Sequence, residues 1–133
     1  MKLQKLLYFA ASEYAKRTGS DSLLSEPFLM WKYGPVVRSV YDEFRSYGAG
    51  RIRTYAKDAR GKALSINEDK HRLVGDAIDS VWRKGKHLSA VELSRITHMS
   101  DAAWTKAYER HDASLSPEDI LEDVSYRRHL DLA

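Results

Sequence analysis

The five histidines are the residues best suited to metal or acid–base chemistry, and they are widely separated along the chain. They are His71, His87, His98, His111 and His129. No two of them have the i,i+4 spacing that places both rings on one face of a helix. The sequence contains no cysteine, which excludes thiolate catalysis and cysteine-ligated zinc or iron–sulfur clusters. We therefore predict neither a metal site nor a cofactor.

Motifs of known catalytic families are absent from the sequence. The serines occur without the G-x-S-x-G pattern of a hydrolase nucleophile. The glycine-containing stretches 48–51 and 84–87 match neither a dinucleotide fingerprint nor a P-loop. Paired acids such as Asp42 and Glu43 have the positions expected of a solvated helix face. We therefore predict that the protein is not an enzyme.

The composition is typical of one folded domain. The chain has 133 residues, of which 43% are hydrophobic and 31% are charged, and this length suffices for a hydrophobic core. Its 22 basic and 19 acidic residues are interleaved and give a net charge of +3, so nucleic acid is not indicated. No apolar run approaches the ~20 residues that span a bilayer, and the N-terminus does not fit a signal peptide. We predict a cytoplasmic protein without a membrane partner.

The segment 28–37, with the sequence FLMWKYGPVV, organises the rest of the chain. It is too apolar for a loop tip, and Gly34 and Pro35 interrupt it. Proline cannot lie inside a helix, but it fits the first turn of one. The apolar residues that follow recur at helical spacing up to Tyr47 and stop at Gly48. We therefore expect a sharp turn at Gly34-Pro35, followed by an amphipathic helix that returns to the core.

The predicted fold class is mainly α, a compact multi-helix single domain over residues 1–133 with a short β-hairpin near residues 51–66. A first helix covers residues 1–17 and begins without a capping residue, which suggests a missing preceding element or a covering partner. Its predicted apolar stripe consists of Leu3, Leu6, Leu7, Ala10, Ala11 and Tyr14.

The remaining helices are predicted from capping residues and apolar periodicity. The predicted starts are Asn67, Ser89 with Glu92 in a capping box, Ser100 or Asp101, and Ser116 followed by Pro117. The helix from Asn67 should end at Lys84-Gly85, and the helix after Ser89 should run from Ala90 to about Thr97. The buried positions predicted for the first and last of these helices are Leu73, Val74, Ala77, Ile78, Val81 and Trp82, and Ile120, Leu121 and Val124.

Residues 88–110 allow two interpretations. Their two short helices and intervening turn have the spacing of a helix-turn-helix DNA-binding motif. The N-terminal half of the second helix, however, offers Asp101, Ala102, Ala103 and Trp104, which are poor readers of base edges. The other interpretation is protein recognition, because the chain is rich in tyrosine and tryptophan, which anchor many interfaces. Both interpretations remain open on the residues alone.

Three separated pieces of sequence occur together in this chain. They are KLQKLLYF at positions 2–9, WKYGPV at positions 31–36 followed by Tyr41, and a third set of Leu88-Ser89, Leu93, Thr97-His98 and Trp104. In this combination and order the chain resembles the Panacea domain family, which includes SocA-like antitoxins and phage-associated GepA-like proteins. The resemblance covers roughly residues 1–125. Family members usually have a further helix ahead of the first piece, and here that piece begins at the second residue.

The resemblance implies an antitoxin of a type II toxin–antitoxin system, which neutralises a protein toxin by direct binding. It further implies that delivery of the bound toxin to a cytoplasmic protease is one route of action, and it leaves self-association open. We expect an apolar and aromatic face to dock the toxin and basic residues to steer an acidic partner.

The candidate residues fall into two groups. The predicted partner-binding residues are Lys5, Tyr8, Trp31, Tyr33, Pro35 and Tyr41. The predicted motif residues with structural roles are Leu3, Gln4, Leu6, Gly34, Val36, Thr97, His98 and Trp104. An alternative for Trp31, Pro35 and Leu6 is that they stabilise the fold itself.

Overall fold

The computed structural model describes residues 2–19, 22–48, 52 and 71–132. The helices are α1 (Lys2–Thr18), α2 (Arg38–Phe44), α3 (Arg72–Gly85), α4 (Ala90–Thr97), α5 (Ala103–Arg110) and α6 (Pro117–Glu122), and a 3-10 turn (Arg45–Tyr47) follows α2. The strands β1 (Leu29–Trp31) and β2 (Gly34–Val36) form one antiparallel sheet. The prediction of a mainly α fold is confirmed. The predicted hairpin near residues 51–66 and the predicted cap Asn67 lie outside the described residues.

Helix α1 lies at the centre of the fold and packs against α3, α4, α6 and β2. The predicted stripe is only partly correct: Ala10 and Ala11 are buried, whereas Leu3, Leu6, Leu7 and Tyr14 are half-buried. Because neighbours cover the helix on several sides, polar side chains are buried as well. They are Gln4, Lys5, Ser12 and Glu13.

Helix α3 packs on α1 through small residues. Its buried positions include Gly75, Ala77, Val81 and Gly85, and a β-carbon added to Gly85 would lie 2.4 Å from Leu6 Cδ2. Glycine therefore allows the close approach of these two helices. Burial of Ala77 and Val81 agrees with the prediction. The predicted burial of Leu73, Ile78 and Trp82 is wrong, because these side chains flank the packed face and are exposed.

Local capping signals are confirmed at two helices. Ser89 Oγ accepts a hydrogen bond from the Glu92 N–H, and Ser116 Oγ accepts one from Asp119. The predicted caps Ser100 and Asp101 of α5 are wrong: the N-cap position is Ala102, whose side chain cannot accept a hydrogen bond. A distant carboxylate replaces the missing local cap.

That carboxylate is Asp123, which follows α6. Its Oδ2 accepts hydrogen bonds from the Ala103 N–H at 3.2 Å and from the Tyr8 hydroxyl at 2.5 Å. Its Oδ1 accepts from the N–H and the hydroxyl of Ser125. A buried carboxylate needs such donors, since its desolvation is otherwise unfavourable. Asp123 therefore joins α1, α5 and the C-terminal segment.

The C-terminal segment completes the core after α6. Tyr126 and Leu130 are buried; the Tyr126 ring stacks on Phe9 with the ring centroids 5.0 Å apart, and its hydroxyl donates to buried Glu13. Helix α6 ends at Glu122, before Val124, and the predicted burial of Val124 is wrong, since Val124 is 54% exposed. The chain passes inward through Asp123 and Tyr126 instead.

The hairpin of β1 and β2 replaces the predicted sharp turn at Gly34-Pro35. The register pairs Leu29 with Val36 and Trp31 with Gly34, so the turn lies at Lys32-Tyr33 and Gly34-Pro35 is part of a strand. The other edge of β1 is paired as well, because the Met30 N–H donates to Ala113 O. Helix α2 follows as predicted, but its residues are half-buried or exposed. It flanks the core and does not return into it.

Candidate partner-binding hairpin

Gly34 is the point at which the hairpin comes closest to the helices. Its φ of +124° is a conformation that side chains rarely adopt, and an added β-carbon would lie 2.8 Å from Thr97 Oγ1 and 2.9 Å from Lys5 Cε. Only glycine fits both the backbone conformation and the space. The motif residues Lys5, Gly34 and Thr97, far apart in sequence, therefore meet beneath the hairpin.

Gln4 of α1 holds the chain at Val37, the residue directly after β2. Its Oε1 accepts a hydrogen bond from the Val37 N–H at 3.0 Å, and its Nε2 donates to Val37 O at 3.2 Å. The side-chain amide thus bonds both backbone groups of Val37, which is buried; it is the partner of the N–H, and the C=O also accepts from the Tyr41 N–H. Because buried backbone groups need partners, this pair fixes the junction between β2 and α2.

Three consecutive backbone carbonyls at the tip of the hairpin face side chains from α4 and α5. Trp104 Nε1 donates to Trp31 O at 2.7 Å, and His98 Nε2 lies 3.0 Å from Lys32 O. Ser94 Oγ donates to Tyr33 O at 2.8 Å. The tip is therefore held in one position by the fold, which explains the structural part played by the motif residues His98 and Trp104.

Ser94 is a contact residue that the sequence patterns do not predict. It lies in the middle of a predicted helix, where a serine has no distinctive pattern. Its role depends on the position of a turn 61 residues earlier in the chain. The placement of His98 at the end of a helix is confirmed, but the ring also packs against Trp104, with the ring centroids 3.9 Å apart.

The aromatic and basic side chains of the hairpin and of the adjoining α2 form two sets of ring contacts. The Trp31 and Tyr41 rings meet edge to face with centroids 4.9 Å apart, and Arg38 Cζ lies 5.8 Å from the Trp31 centroid. Lys32 Nζ lies 5.4 Å from the Tyr33 centroid. Tyr33 is 56% and Tyr41 40% exposed, and Trp31 is half-buried. We call Trp31, Lys32, Tyr33, Arg38 and Tyr41 the hairpin surface.

The other predicted partner-binding residues lie in the interior. Lys5 and Tyr8 are each 1% exposed, and Pro35 is fully buried. Side chains so placed do not reach the surface in this structure, so we assign them to the support of the hairpin rather than to direct contact. Leu6, Val36 and Leu3, predicted as structural residues, are buried or half-buried.

The buried polar residues have perturbed acid–base properties. Burial lowers the pKa of the Lys5 ammonium to about 8, and burial likewise lowers that of Lys16 to about 8. For the Tyr8 hydroxyl, burial first and the nearby Asp123 carboxylate second raise the pKa well above its ordinary value. Tyr8 therefore remains a hydrogen-bond donor to Asp123 at any pH near neutrality.

Within the described part of the chain, no group of three or more histidine, aspartate or glutamate side chains is arranged to hold a metal ion. A cavity of about 280 Å³ lies between α1, the segment 22–28 and residues 114–120. Its lining is mostly apolar and includes Leu23, Phe28, Leu115 and Ile120. The geometry there offers packing surface and does not bring together acid–base groups.

The chain matches the family model of the antitoxin SocA-like Panacea domain over residues 3–105. It belongs to this family. Neither the search of curated proteins nor the search of solved structures found a match. The Panacea match takes in α1, the hairpin and α4, together with the contacts of Gln4, Lys5, His98 and Trp104 described above. It ends before the segment that supplies Asp123 and Tyr126 to the core.

The described helices of this Panacea domain include none with the length and apolar character required to cross a membrane.

Proposed function

We propose that this protein is an antitoxin that binds a protein toxin directly through the hairpin surface. The observation that carries the proposal is the contrast between the two sides of the hairpin. Its inner side is contacted by Gln4, Lys5, His98 and Trp104. Tyr33 in its turn and Tyr41 on the adjoining α2 are exposed, and Trp31 is half-buried. Membership of the Panacea family supports the antitoxin role.

The composition of the hairpin surface favours protein recognition. Tryptophan, tyrosine and arginine are the residue types that most often dominate binding energy at interfaces. A surface that is already ordered loses little conformational entropy on binding, which favours affinity. The hydrogen bonds to the carbonyls of Trp31, Lys32 and Tyr33 provide such ordering. The bound toxin would be inhibited because its active surface is covered.

The structure of α5 weighs against the DNA-binding alternative. A recognition helix reads bases with side chains near its N-terminus. Ala102, Ala103 and Trp104 are buried there, and Asp123 occupies the end of the helix. A carboxylate at this position would repel phosphate, so we do not propose duplex binding through residues 88–110.

Three further parts of the proposal are supported by family membership alone. They are action in the cytoplasm, delivery of the bound toxin to a cytoplasmic protease, and the absence of enzymatic activity. The chemistry of the described residues is compatible with a binding protein. Turnover of a substrate by the purified protein would contradict this part of the proposal.

Co-expression tests the proposal directly. The product of the reading frame adjacent to this gene should arrest growth when expressed alone, and co-expression of this protein should restore growth. The two purified proteins should then elute as one complex in gel filtration. Restored growth without a complex, or a complex that forms equally well with Tyr33→Ala, would contradict direct binding through the hairpin surface.

A further inference from the structure

The cavity of about 280 Å³ between α1, the segment 22–28 and residues 114–120 has an apolar floor and a polar rim. The buried residues that line it are Ala11, Ala15, Phe28 and Leu115. Half-buried aliphatic side chains form part of its walls, namely Leu23, Leu24 and Ile120. Exposed polar side chains stand at its opening, namely Ser22, Ser25 and Glu26. Apolar walls with a few polar groups are typical of pockets that bind small molecules.

Hydrogen bonds fix the segments that form the cavity. The Leu115 N–H donates to Phe28 O at 2.8 Å, so these two lining residues are joined through their backbones. Ser12 Oγ donates to Ile120 O at 2.7 Å and holds α6 on α1. The Glu26 carboxylate accepts two hydrogen bonds from the first turn of α2. The segments cannot close on one another without breaking such contacts, so the cavity is a fixed feature of the fold.

The size of the cavity limits what it can hold. An apolar cavity of roughly 150 Å³ holds benzene. By the same proportion this cavity accommodates a molecule of about ten non-hydrogen atoms. A partner helix, about 10 Å in diameter with its side chains, does not fit in such a volume.

The charge of the lining limits the ligand further. Glu26 is the one charged side chain among the described lining residues, and no lysine or arginine is among them. An anionic ligand would therefore meet a carboxylate at the opening and lose its hydration without a counter-charge. Serine and glutamate oxygens can instead accept a hydrogen bond from a ligand.

We propose that this cavity binds a small uncharged molecule, with an apolar ring or chain against Phe28, Leu115 and Ile120 and one hydrogen-bond donor at the polar rim. Burial of the apolar part and its dispersion contacts with the walls provide the affinity. The inference goes beyond the proposed function and does not depend on it, because the cavity and the hairpin surface share no residue.

Titration with indole is the first test. Indole has a flat apolar ring system and one N–H, and indole-3-carboxylate adds a negative charge as the matched control. Binding to the full chain is followed by two-dimensional NMR. We expect saturable shifts at the amides of Phe28, Leu115 and Ile120, with a Kd of about 1 mM or lower. The carboxylate should bind about tenfold more weakly or worse.

Variants that fill the cavity are the second test. Ala15→Leu adds apolar carbons from α1, and Ile120→Phe adds them independently from α6. Ala90→Leu on α4 is the control, because Ala90 does not line the cavity. We expect both filled variants to weaken indole binding about tenfold or more and the control to bind as wild type does. Melting temperatures measured by circular dichroism show whether each variant is folded, and either filled variant alone suffices.

Three results would overturn the proposal. The first is indole that causes no saturable shift at the lining residues. The second is indole that binds a folded, filled variant as tightly as wild type, or indole-3-carboxylate that binds as tightly as indole. The third is a toxin that binds wild type but neither folded, filled variant, which would assign the cavity to a side chain of the toxin and would support the antitoxin function.

Discussion

The side-chain amide of Gln4 forms two hydrogen bonds with the backbone of Val37, one to its N–H and one to its C=O. The pair connects residues 33 positions apart and joins α1 to the end of the hairpin. The motif at residues 2–9 thereby holds the residue that directly follows the motif at residues 31–36.

Replacement of Gln4 by methionine keeps the length of the side chain and removes both hydrogen bonds. The Val37 N–H would then be buried without a partner, which costs about 1–3 kcal/mol, whereas Val37 O would keep its hydrogen bond from the Tyr41 N–H. We expect Gln4→Met to lower the free energy of unfolding by about 1–3 kcal/mol in urea denaturation. An unchanged unfolding midpoint would show that water or another side chain replaces the amide.

Comparison of Gly34→Ala with Gly19→Ala separates the cost of a steric clash from the cost of an unfavourable backbone conformation. Gly19 provides the control, since it also has positive φ (+95°) but has nothing within 4 Å of an added β-carbon. Both alanine variants bear the cost of an unfavourable φ, about 1–2 kcal/mol, whereas Gly34→Ala also displaces Thr97 and Lys5. We expect the loss of unfolding free energy to be clearly larger at Gly34. Equal losses would mean that the hairpin moves away from the helices without cost.

The lowered pKa of Lys5 predicts that the free energy of unfolding increases with pH in the alkaline range. Its pKa is about 8 in the folded protein and about 10.4 in the unfolded chain, so between these values the unfolded chain binds more protons. Stability due to this group therefore increases as the pH rises from about 8 towards 10. Lys16 has a lowered pKa as well and changes stability in the same direction. The contribution of Lys5 is therefore obtained from the difference in stability between wild type and Lys5→Met.

Urea denaturation at pH 7, 8, 9 and 9.5 measures this difference. Any stability advantage of Lys5→Met at pH 7 should decrease as the pH rises, because wild-type Lys5 becomes neutral. A difference that does not change with pH would mean that the buried ammonium keeps its ordinary pKa.

Local patterns in the sequence predicted the elements that depend on local physics. The starts of α4 and α6 were predictable because Ser89 and Ser116 cap their own helices. The start of α5 was not, because its cap, Asp123, lies 20 residues away from Ala103. Tertiary structure determines such partners, and a local pattern cannot contain them.

The exposed residues of the candidate site could be predicted from the sequence, but the buried ones could not. Trp31, Tyr33 and Tyr41 were identified by residue type and by the family motif, and the structure places them at or near the surface. Lys5 and Tyr8 were expected to contact a partner because they belong to the same motif. A helix that is covered on several sides buries polar residues, and only the packing of α1 reveals this.

The C-terminal segment should be required for folding although the family match ends at residue 105. A chain ending there would lack Asp123, which caps α5, and the buried Tyr126 and Leu130. We expect such a chain to lose the dispersed amide signals of a folded protein in two-dimensional NMR. Asp123→Asn in the full chain is the finer test and should destabilise it, since an amide offers only one acceptor oxygen to the donors of Tyr8, Ala103 and Ser125. A well-folded chain ending at residue 105 would contradict this account of the core.

The most direct test compares Tyr33→Ala with Trp82→Ala in toxin binding. The two side chains are 56% and 52% exposed, but Tyr33 lies on the hairpin surface and Trp82 on α3. We predict that Tyr33→Ala weakens binding by about 30-fold or more, as expected of a residue that contributes about 2 kcal/mol, with an unchanged melting temperature. Trp82→Ala should bind as wild type does. Full toxin binding by Tyr33→Ala, or loss of binding in Trp82→Ala alone, would contradict the assignment of the hairpin surface as the binding site.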